Sequence, residues 1–463
     1  MEPQRLLTQT LQHAAWGKTV TAILAAALHT VEPGAAVRRM VQRTDDTLHI
    51  AGQSYNLRDL QRVFVVGAGK AGLAMTAATV EVLRDKVGGG VVIVKDEGPA
   101  TLAALRETVR TLAPVTVMLA RHPIPDERGV SATRRMVALL EQATADDLVI
   151  ALISGGGSAL LTLPVPGVAL SDLQQITDAL LASGATIEEI NTLRKHLDRM
   201  KGGGLAQFAA PASLVALILS DVVGNPLEMI ASGPTVPATV TFADAAAVLE
   251  RYLAPDEVPL AIRSAIAAGV RGDMPPRPQP DNPLFARVQN VLVGSSQQAA
   301  QAARRTAEAH GLNTIVLTTY LQGEAREVGR VLAAIARELA TEAQPFLRRP
   351  ACVIVGGETT VTLRGAGRGG RNQELALAAV REMAGLADAV LVTLATDGGD
   401  GPTDAAGAVV TGETLARAQA LGLDVEAALA TNDAYPFFAA LGDLLRPGAT
   451  GTNVSDITLL FLW

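Results

Sequence analysis

Residues 147–161 read DLVIALISGGGSALL, and the reading of this stretch decides the fold. An apolar run, residues 148–153, ends in Ser154, then Gly155, Gly156, Gly157 and Ser158, before apolar residues resume. A short run closed by glycines is the pattern of a buried strand that turns tightly into a helix. Three successive glycines leave backbone N–H groups uncovered, so an anion can approach them. The start of the following helix adds partial positive charge, and the serines add hydroxyl donors. A turn with left-handed backbone would select glycine on its own account. Glycines flanked by serines favour the anion cradle, formed by Ser154, Gly155, Gly156, Gly157 and Ser158.

Working outward, strands and helices alternate. A β-branched strand at 63–66 runs into Gly67-Ala68-Gly69-Lys70-Ala71-Gly72 and a helix. Strands follow at 91–94 and 115–119, then His122-Pro123-Ile124-Pro125-Asp126 and a helix over 127–142 that leads back to the opening strand. Another strand, 214–219, ends in Ser220-Asp221. This alternation predicts an α/β fold built on a doubly wound, Rossmann-like, mainly parallel sheet. Residues 5–28 have helical periodicity, 32–41 form a second helix, and 47–57 read as a hairpin around Gly52. Residues 271–283 are dense in proline and charge and mark the expected boundary, with one domain over 1–275 and another over 284–463. The second half restarts the alternation, with strands at 291–293, 314–318, 352–355, 389–395 and 457–463, and reads as a second α/β domain.

A chain of 463 residues exceeds what one core usually fills, which agrees with two domains. Hydrophobic content of 49%, charged content of 18% and mean hydropathy of +0.27 exclude a disordered chain. Formal charge −7 and an isoelectric point near 5.5, with no basic run, argue against a nucleic-acid partner. The single cysteine, Cys352, lies in an apolar run and reads as a core residue. The opening MEPQRLLTQT lacks a signal pattern, and the most apolar early segment, 20–28, is too short to span a bilayer. A soluble, cytoplasmic protein with no membrane partner is expected.

In open α/β sheets ligands sit beyond the carboxyl ends of the strands. Here those ends carry Gly67 to Gly72, with Gly67 and Gly69 as expected phosphate contacts, the Ser154–Ser158 loop, Ser220-Asp221, Gly356-Gly357-Glu358 and Asp397 to Asp400. Residues 67–72 fit G-x-G-x-x-G, and Asp96 lies at the distance expected of a ribose-binding acid, which admits a nicotinamide enzyme. Lys70 stands at a helix start, where a cation opposes the helix dipole and calls for a compensating anion. The P-loop pattern is absent. Residues 364–374, RGAGRGGRNQE, bracket Arg368 and Arg371 with glycines, placing guanidinium groups on a mobile loop suited to clamp a carboxylate or phosphate. Asp221, Glu358, Asp397 and Asp400 are hard oxygen ligands without a His/Cys cluster, which points to magnesium over zinc. A single Asp at a strand end also serves as an N-cap or turn residue.

Taken together, these stretches resemble the class II glycerate kinases, the glycerate 2-kinases with a C-terminal MOFRL domain. The matching pieces are GAGKAG at Gly67, SGGGSALL at Ser154, INTLRKHLDRMKGG at Ile190 and SDVVGNPLEMIASGPT at Ser220. GGETTVTLRGAGRGGRNQELALA at Gly356, TDGGDGPTDAAGA at Thr396 and GTNVSD at Gly451 complete the set, in family order across nearly the whole chain. The resemblance implies ATP-dependent phosphorylation of the 2-hydroxyl of D-glycerate to 2-phosphoglycerate, with a divalent cation such as Mg2+, in a cleft between two α/β domains. The family's activity-bearing basic residues match Lys70 and Arg371. On this reading Asp221, Asp397 and Asp400 hold the metal, and Asp221 also orients or deprotonates the hydroxyl. Lys195, Lys201, Glu358, Asn372 and Glu374 are the expected substrate contacts, and a homodimer is left open. Asn225 stands where the family's aspartate is expected after SDVVG, and Ala449 where a proline is expected. The alternative is an NAD(P)H-dependent hydroxypyruvate reductase, a label long given to family members. Hydride transfer has little use for several anion-binding loops and strand-end carboxylates, whereas phosphoryl transfer depends on positioning and charge neutralisation.

Overall fold

The structure is a computed structural model that describes residues 1–341 and 347–463. It contains two compact units, one of residues 33–220 and 225–293, the other of residues 1–32, 221–224 and 294–463. This division corrects the boundary expected near 275–284. A strand after the proline-rich stretch belongs to the first sheet, and the N-terminal helix Gly17–Thr30 packs on helix Ser296–Ala309.

In the first unit, β1 (Val41–Thr44), β2 (Thr47–Ile50) and β3 (Gln53–Asn56) form an antiparallel meander, one strand more than the expected hairpin. The main sheet comprises β4 (Arg62–Ala68), β5 (Val87–Lys95), β6 (Val115–Ala120), β7 (Asp147–Ile153), β8 (Ser213–Leu219) and β9 (Val288–Gly294). Their order is β6-β5-β4-β7-β8-β9, and every pair from β6 to β8 is parallel. Every residue of β7 is buried, which is why its sequence is continuously apolar rather than alternating. Strand order reverses between β4 and β7, so the turns that follow these two strands share the topological switch point. Their separation is set by glycine. A Cβ on Gly67 would lie 2.2 Å from the Leu152 carbonyl oxygen, and one on Gly69 would lie 2.0 Å from Ser154 Oγ.

The second unit holds β10 (Asn313–Leu321), β11 (Ala351–Gly357), β12 (Ala389–Ala395), β13 (Gly407–Thr411), β14 (Leu444–Leu445) and β15 (Asp456–Leu462). Their order is β10-β11-β15-β12-β13-β14. Only β10 and β11 pair in parallel, and β15 runs antiparallel between β11 and β12. Helices Ala325–Thr341 and Arg371–Met383 pack together, with Leu332, Leu375, Val380 and Met383 in one core with the sheet residues Val353 and Leu391. Cys352 is buried in β11, as a core residue should be. The single helix expected over 5–28 is broken instead. Gly17 crosses so close to Leu11 that a Cβ would fall 1.8 Å from its carbonyl oxygen, and Gly17–Thr30 starts anew there.

Candidate active site

In the first unit, the switch point is stitched together by backbone and hydroxyl. Ser154 N–H donates to Ala68 O at 3.2 Å, and Lys70 N–H donates to Gly155 O at 2.9 Å. Ala71 N–H donates to Ser154 Oγ at 3.1 Å. Ser154 is therefore a buried tie between the two turns, which corrects its expected role as an anion donor. Gly67 and Gly69 are likewise fixed by backbone approach, and the Gly69 N–H is spent on Ile93 O. What remains is specific. Among the described residues, the N–H groups of Gly155, Gly156 and Ser158 donate to no protein acceptor. Gly156 is left-handed at φ +84°, which turns this stretch of backbone outward.

Lys70 is exposed beside this loop, its Cγ 3.4 Å from where a Gly156 Cβ would sit. His122 closes the other flank, with its Cδ2 2.9 Å from the same point. Burial lowers the imidazole pKa to about 4, and the Lys70 and Lys95 ammonium charges add to the effect. His122 is thus neutral at pH 7 and leaves Lys70 without a second positive charge beside it. Behind the loop, Ser158 Oγ lies 3.0 Å from Ser232 Oγ, and Ser232 donates to Asn191 Oδ1 at 2.9 Å. Ala231 and Ser232 both adopt positive φ, 51° and 61°, a costly backbone of the sort that gathers at functional sites.

Of the lysines expected to meet substrate, Lys195 has an ammonium with no hydrogen bond or ion pair among the described residues. Its stem is buried, burial lowers its pKa, and Glu228 counteracts this as a nearby charge. Lys201 is corrected: it is 2% exposed, paired with Asp198 at 3.1 Å and bonded to Leu161 O at 2.7 Å. It is a buried structural cation.

In the second unit, the loop ends gather around Arg371. This residue opens helix Arg371–Met383 rather than lying on a mobile loop. Its Nε and Nη2 grip both oxygens of Asp456 at 2.6 and 3.0 Å, and Nη1 meets Glu358 at 2.9 Å. Three of the five guanidinium N–H groups are taken, which leaves two for an anion. Burial is the largest single influence and opposes the charge, but the Asp456 hydrogen bonds together with the charges of Asp456, Glu358 and Asp400 outweigh it and raise the guanidinium pKa. Burial raises the pKa of Glu358; Arg371 lowers it, and the carboxylates of Asp456, Asp221 and Asp397 raise it again.

Three expected contacts at this helix are corrected. Asp400 accepts from Asn372 N–H at 3.2 Å and Gln373 N–H at 2.9 Å, so both oxygens cap the helix and neither is offered to a metal. Burial raises its pKa to about 6. Asn372 is buried between Asp400 and Asp456. Glu374 is 2% exposed and pairs with Arg326 Nε at 3.0 Å and Asn432 at 2.9 Å. Asp397 stays exposed, its carboxylate accepting the Gly399 N–H at 3.1 Å and its carbonyl the Thr450 N–H at 3.2 Å. Among the described residues no three His, Cys, Asp or Glu side chains form a ready metal cage. Glu358 has Asp221 and Asp397 as charged neighbours, and one or two of these carboxylates could meet a hard cation beside substrate phosphates.

His122, Ser232 and Asp456 were not assigned from the sequence, although each stands in or beside a quoted motif. His122 follows β6 at its carboxyl end, Ser232 lies in ASGPT, and Asp456 closes GTNVSD. The dinucleotide reading loses its acid. Asp96 is paired with Arg128 at 2.6 Å and accepts the Gly98 N–H, so its carboxylate is not free for a ribose.

Comparison with known proteins bears on this geometry. Residues 19–267 match the domain of unknown function DUF4147, and residues 351–456 match the MOFRL family. A D-glycerate 2-kinase of Thermotoga maritima is 42% identical over 404 residues, covering 87% of this chain and 91% of that protein. A glycerate 2-kinase of Pyrococcus horikoshii is 40% identical over 434 residues, covering 94% of each. Human glycerate kinase is 39% identical, covering 94% of this chain and 91% of its own. Among solved structures, a P. horikoshii protein aligns with TM-score 0.85 at 38% identity, covering 96% of this chain and 98% of that one. The T. maritima glycerate kinase aligns with TM-score 0.83 at 39% identity, covering 96% and 99%. Likeness of this degree, sustained from one end of the sequence to the other, makes the chain a member of the MOFRL-containing glycerate kinase family.

Proposed function

We propose that the protein is an ATP-dependent glycerate 2-kinase that converts D-glycerate to 2-phosphoglycerate in the cytoplasm. The observation that carries this reading is the switch-point loop, where unpaired N–H groups of Gly155, Gly156 and Ser158 stand beside the Lys70 ammonium. Phosphoryl transfer asks a protein for positioning and charge neutralisation more than for covalent chemistry. The loop N–H groups and Lys70 hold phosphate oxygens, aimed by the Ser158–Ser232–Asn191 chain behind them. Arg371, fixed by Asp456 and Glu358, turns its two remaining N–H groups to the transferring phosphoryl group or to the glycerate carboxylate.

Asp221 orients the 2-hydroxyl. Glu358, whose raised pKa suits a proton acceptor, stands among the same carboxylates. Asp397 or Asp221, beside Glu358, would hold Mg2+ together with the substrate phosphates, and the ion would supply charge neutralisation there. Lys195 meets the substrate with its unpaired ammonium. Among the described residues no single helix is long and apolar enough to cross a membrane.

The decisive experiment incubates the purified protein with ATP, MgCl2 and D-glycerate and adds enolase without a mutase. Direct conversion of the product by enolase identifies 2-phosphoglycerate. Accumulation of the 3-isomer, or NADH oxidation with hydroxypyruvate and no ATP consumption, overturns the proposal.

A further inference from the structure

Between helices Leu170–Ala182 and Ile187–Leu197 of the first unit lies a cavity of about 210 Å³ that reaches Ser158 and Ala159 at one end. Its wall is more apolar than polar, with Leu173, Ile176, Leu180, Ile190, Leu193 and Leu197 on it. Ser158, Thr162, Gln174 and Thr177 add hydroxyl and amide groups. The space equals that of about seven waters in the liquid, below the ~300 Å³ of a drug-sized pocket. It is too small for a nucleotide and fits a compact molecule of roughly ten non-hydrogen atoms.

The wall carries two acids and two bases, Asp178, Asp198, Arg194 and Lys201, and only one pair among them is closed. Asp198 and Lys201 form a closed pair: Asp198 accepts Met200 N–H at 2.9 Å, Leu163 N–H at 3.2 Å and the Lys201 ammonium at 3.1 Å. Asp178 is exposed. Arg194 remains, half-buried, its guanidinium with no hydrogen bond or ion pair among the described residues and with Asp198 acting on it only as a nearby charge. Burial lowers its pKa, the signature of a cation held partly out of water without a partner.

We propose that this cavity binds a small monocarboxylate with a compact apolar body, the carboxylate on the Arg194 guanidinium and the body among the leucines. A guanidinium fork matches the two oxygens of a carboxylate. The leucine and isoleucine part of the wall favours an apolar body over the further oxygens of a phosphate or the hydroxyls of glycerate, which would go unpaired against it. The cavity adjoins the phosphate loop at Ser158 and Ala159, but the carboxylate it would take sits on Arg194, outside that loop, and the proposal does not rest on the kinase reading.

Benzoate is the probe, titrated into the full-length protein by isothermal calorimetry, with benzamide as its uncharged counterpart. One benzoate per chain is expected, with a Kd on the order of 1 mM or tighter. Benzamide should bind about tenfold to a hundredfold more weakly, the scale of one hydrogen bond to a charged group. Arg194→Met, confirmed folded by its melting curve, should weaken benzoate by the same factor. Arg371→Met should bind it as the parent does, whatever its turnover. Absence of benzoate binding, equal binding of benzamide, or undiminished binding to a folded Arg194→Met protein overturns the proposal. The benzamide comparison needs no variant, so it decides even if Arg194→Met fails to fold.

Discussion

Replacing Arg371 by Met removes the guanidinium and keeps most of the stem. Asp456 then loses a two-point partner while it remains 7% exposed. Removing one member of a buried pair costs about 3–5 kcal/mol when both are dry. The Arg371 side chain is 32% exposed, so water reaches one side of the vacated space and the cost falls to about 2–3 kcal/mol. Asp456, already shifted upward by burial, limits the loss further by taking a proton. The expected result is a melting temperature lower by roughly 5 °C for the second unit. In the enolase-coupled assay kcat should fall on the order of 10²–10³-fold, the scale of losing one preorganised charge donor. Arg371→Lys should restore much of the stability but little of the rate, since an ammonium cannot hold Asp456 at two points and still present free N–H groups. An Arg371→Met protein with near-parental turnover would falsify the assignment. Unchanged melting would show that Asp456 does not need its partner.

Other outcomes follow from the same geometry. Lys70→Met should lower kcat on the order of 10²–10³-fold. It should also move the His122 pKa up from about 4, read by NMR of the imidazole, because one of the two cations acting on it is gone; an unmoved resonance would show that the two side chains do not face each other. Gly156→Ala forces a side chain into φ +84° and against the His122 ring 2.9 Å away, so stability should drop by about 1–2 kcal/mol and activity with it. Glu358, Asp400 and Asp456 all have raised pKa values, Asp400 at about 6. Between the ordinary carboxylate range and that value the folded protein binds protons that the unfolded chain does not. This cluster's contribution to stability should therefore rise as pH falls through the window. At Glu358, the one of the three that would meet Mg2+, protons and the cation compete, so stabilisation by Mg2+ in differential scanning fluorimetry should be larger at pH 8 than at pH 5; equal shifts at both would count against a cation on Glu358.

The first sheet was legible because its signals are local. An unbroken apolar run such as 148–153 can hardly be anything but a strand buried on both faces, and the glycine turns on either side mark where strand gives way to helix. Lys70 could be singled out for a similar reason, as a cation placed against the dipole of the helix it precedes. The partners of Arg371, by contrast, were beyond reach. Asp456 is 85 residues away and meets it only because β15 enters between β11 and β12. Asp400, Asn372 and Glu374 were misread for one cause: a polar residue that ties the protein to itself has the same letter as one that waits for a ligand. The helix N-terminus at 371–374 is buried, so its polar groups had to be satisfied from within.

The position of β15 constrains how the chain is made. It supplies hydrogen-bonding neighbours to β11 on one side and β12 on the other. While residues 456–462 are still inside the ribosome, two fully buried strands stand with open edges, and Arg371 has no Asp456 to receive it. Such edges are templates for pairing with another chain. Synthesis of this half is thus a race between the arrival of the closing segment and capture by a neighbour, and slowing translation over residues 395–455 should shift the yield from soluble enzyme toward aggregate.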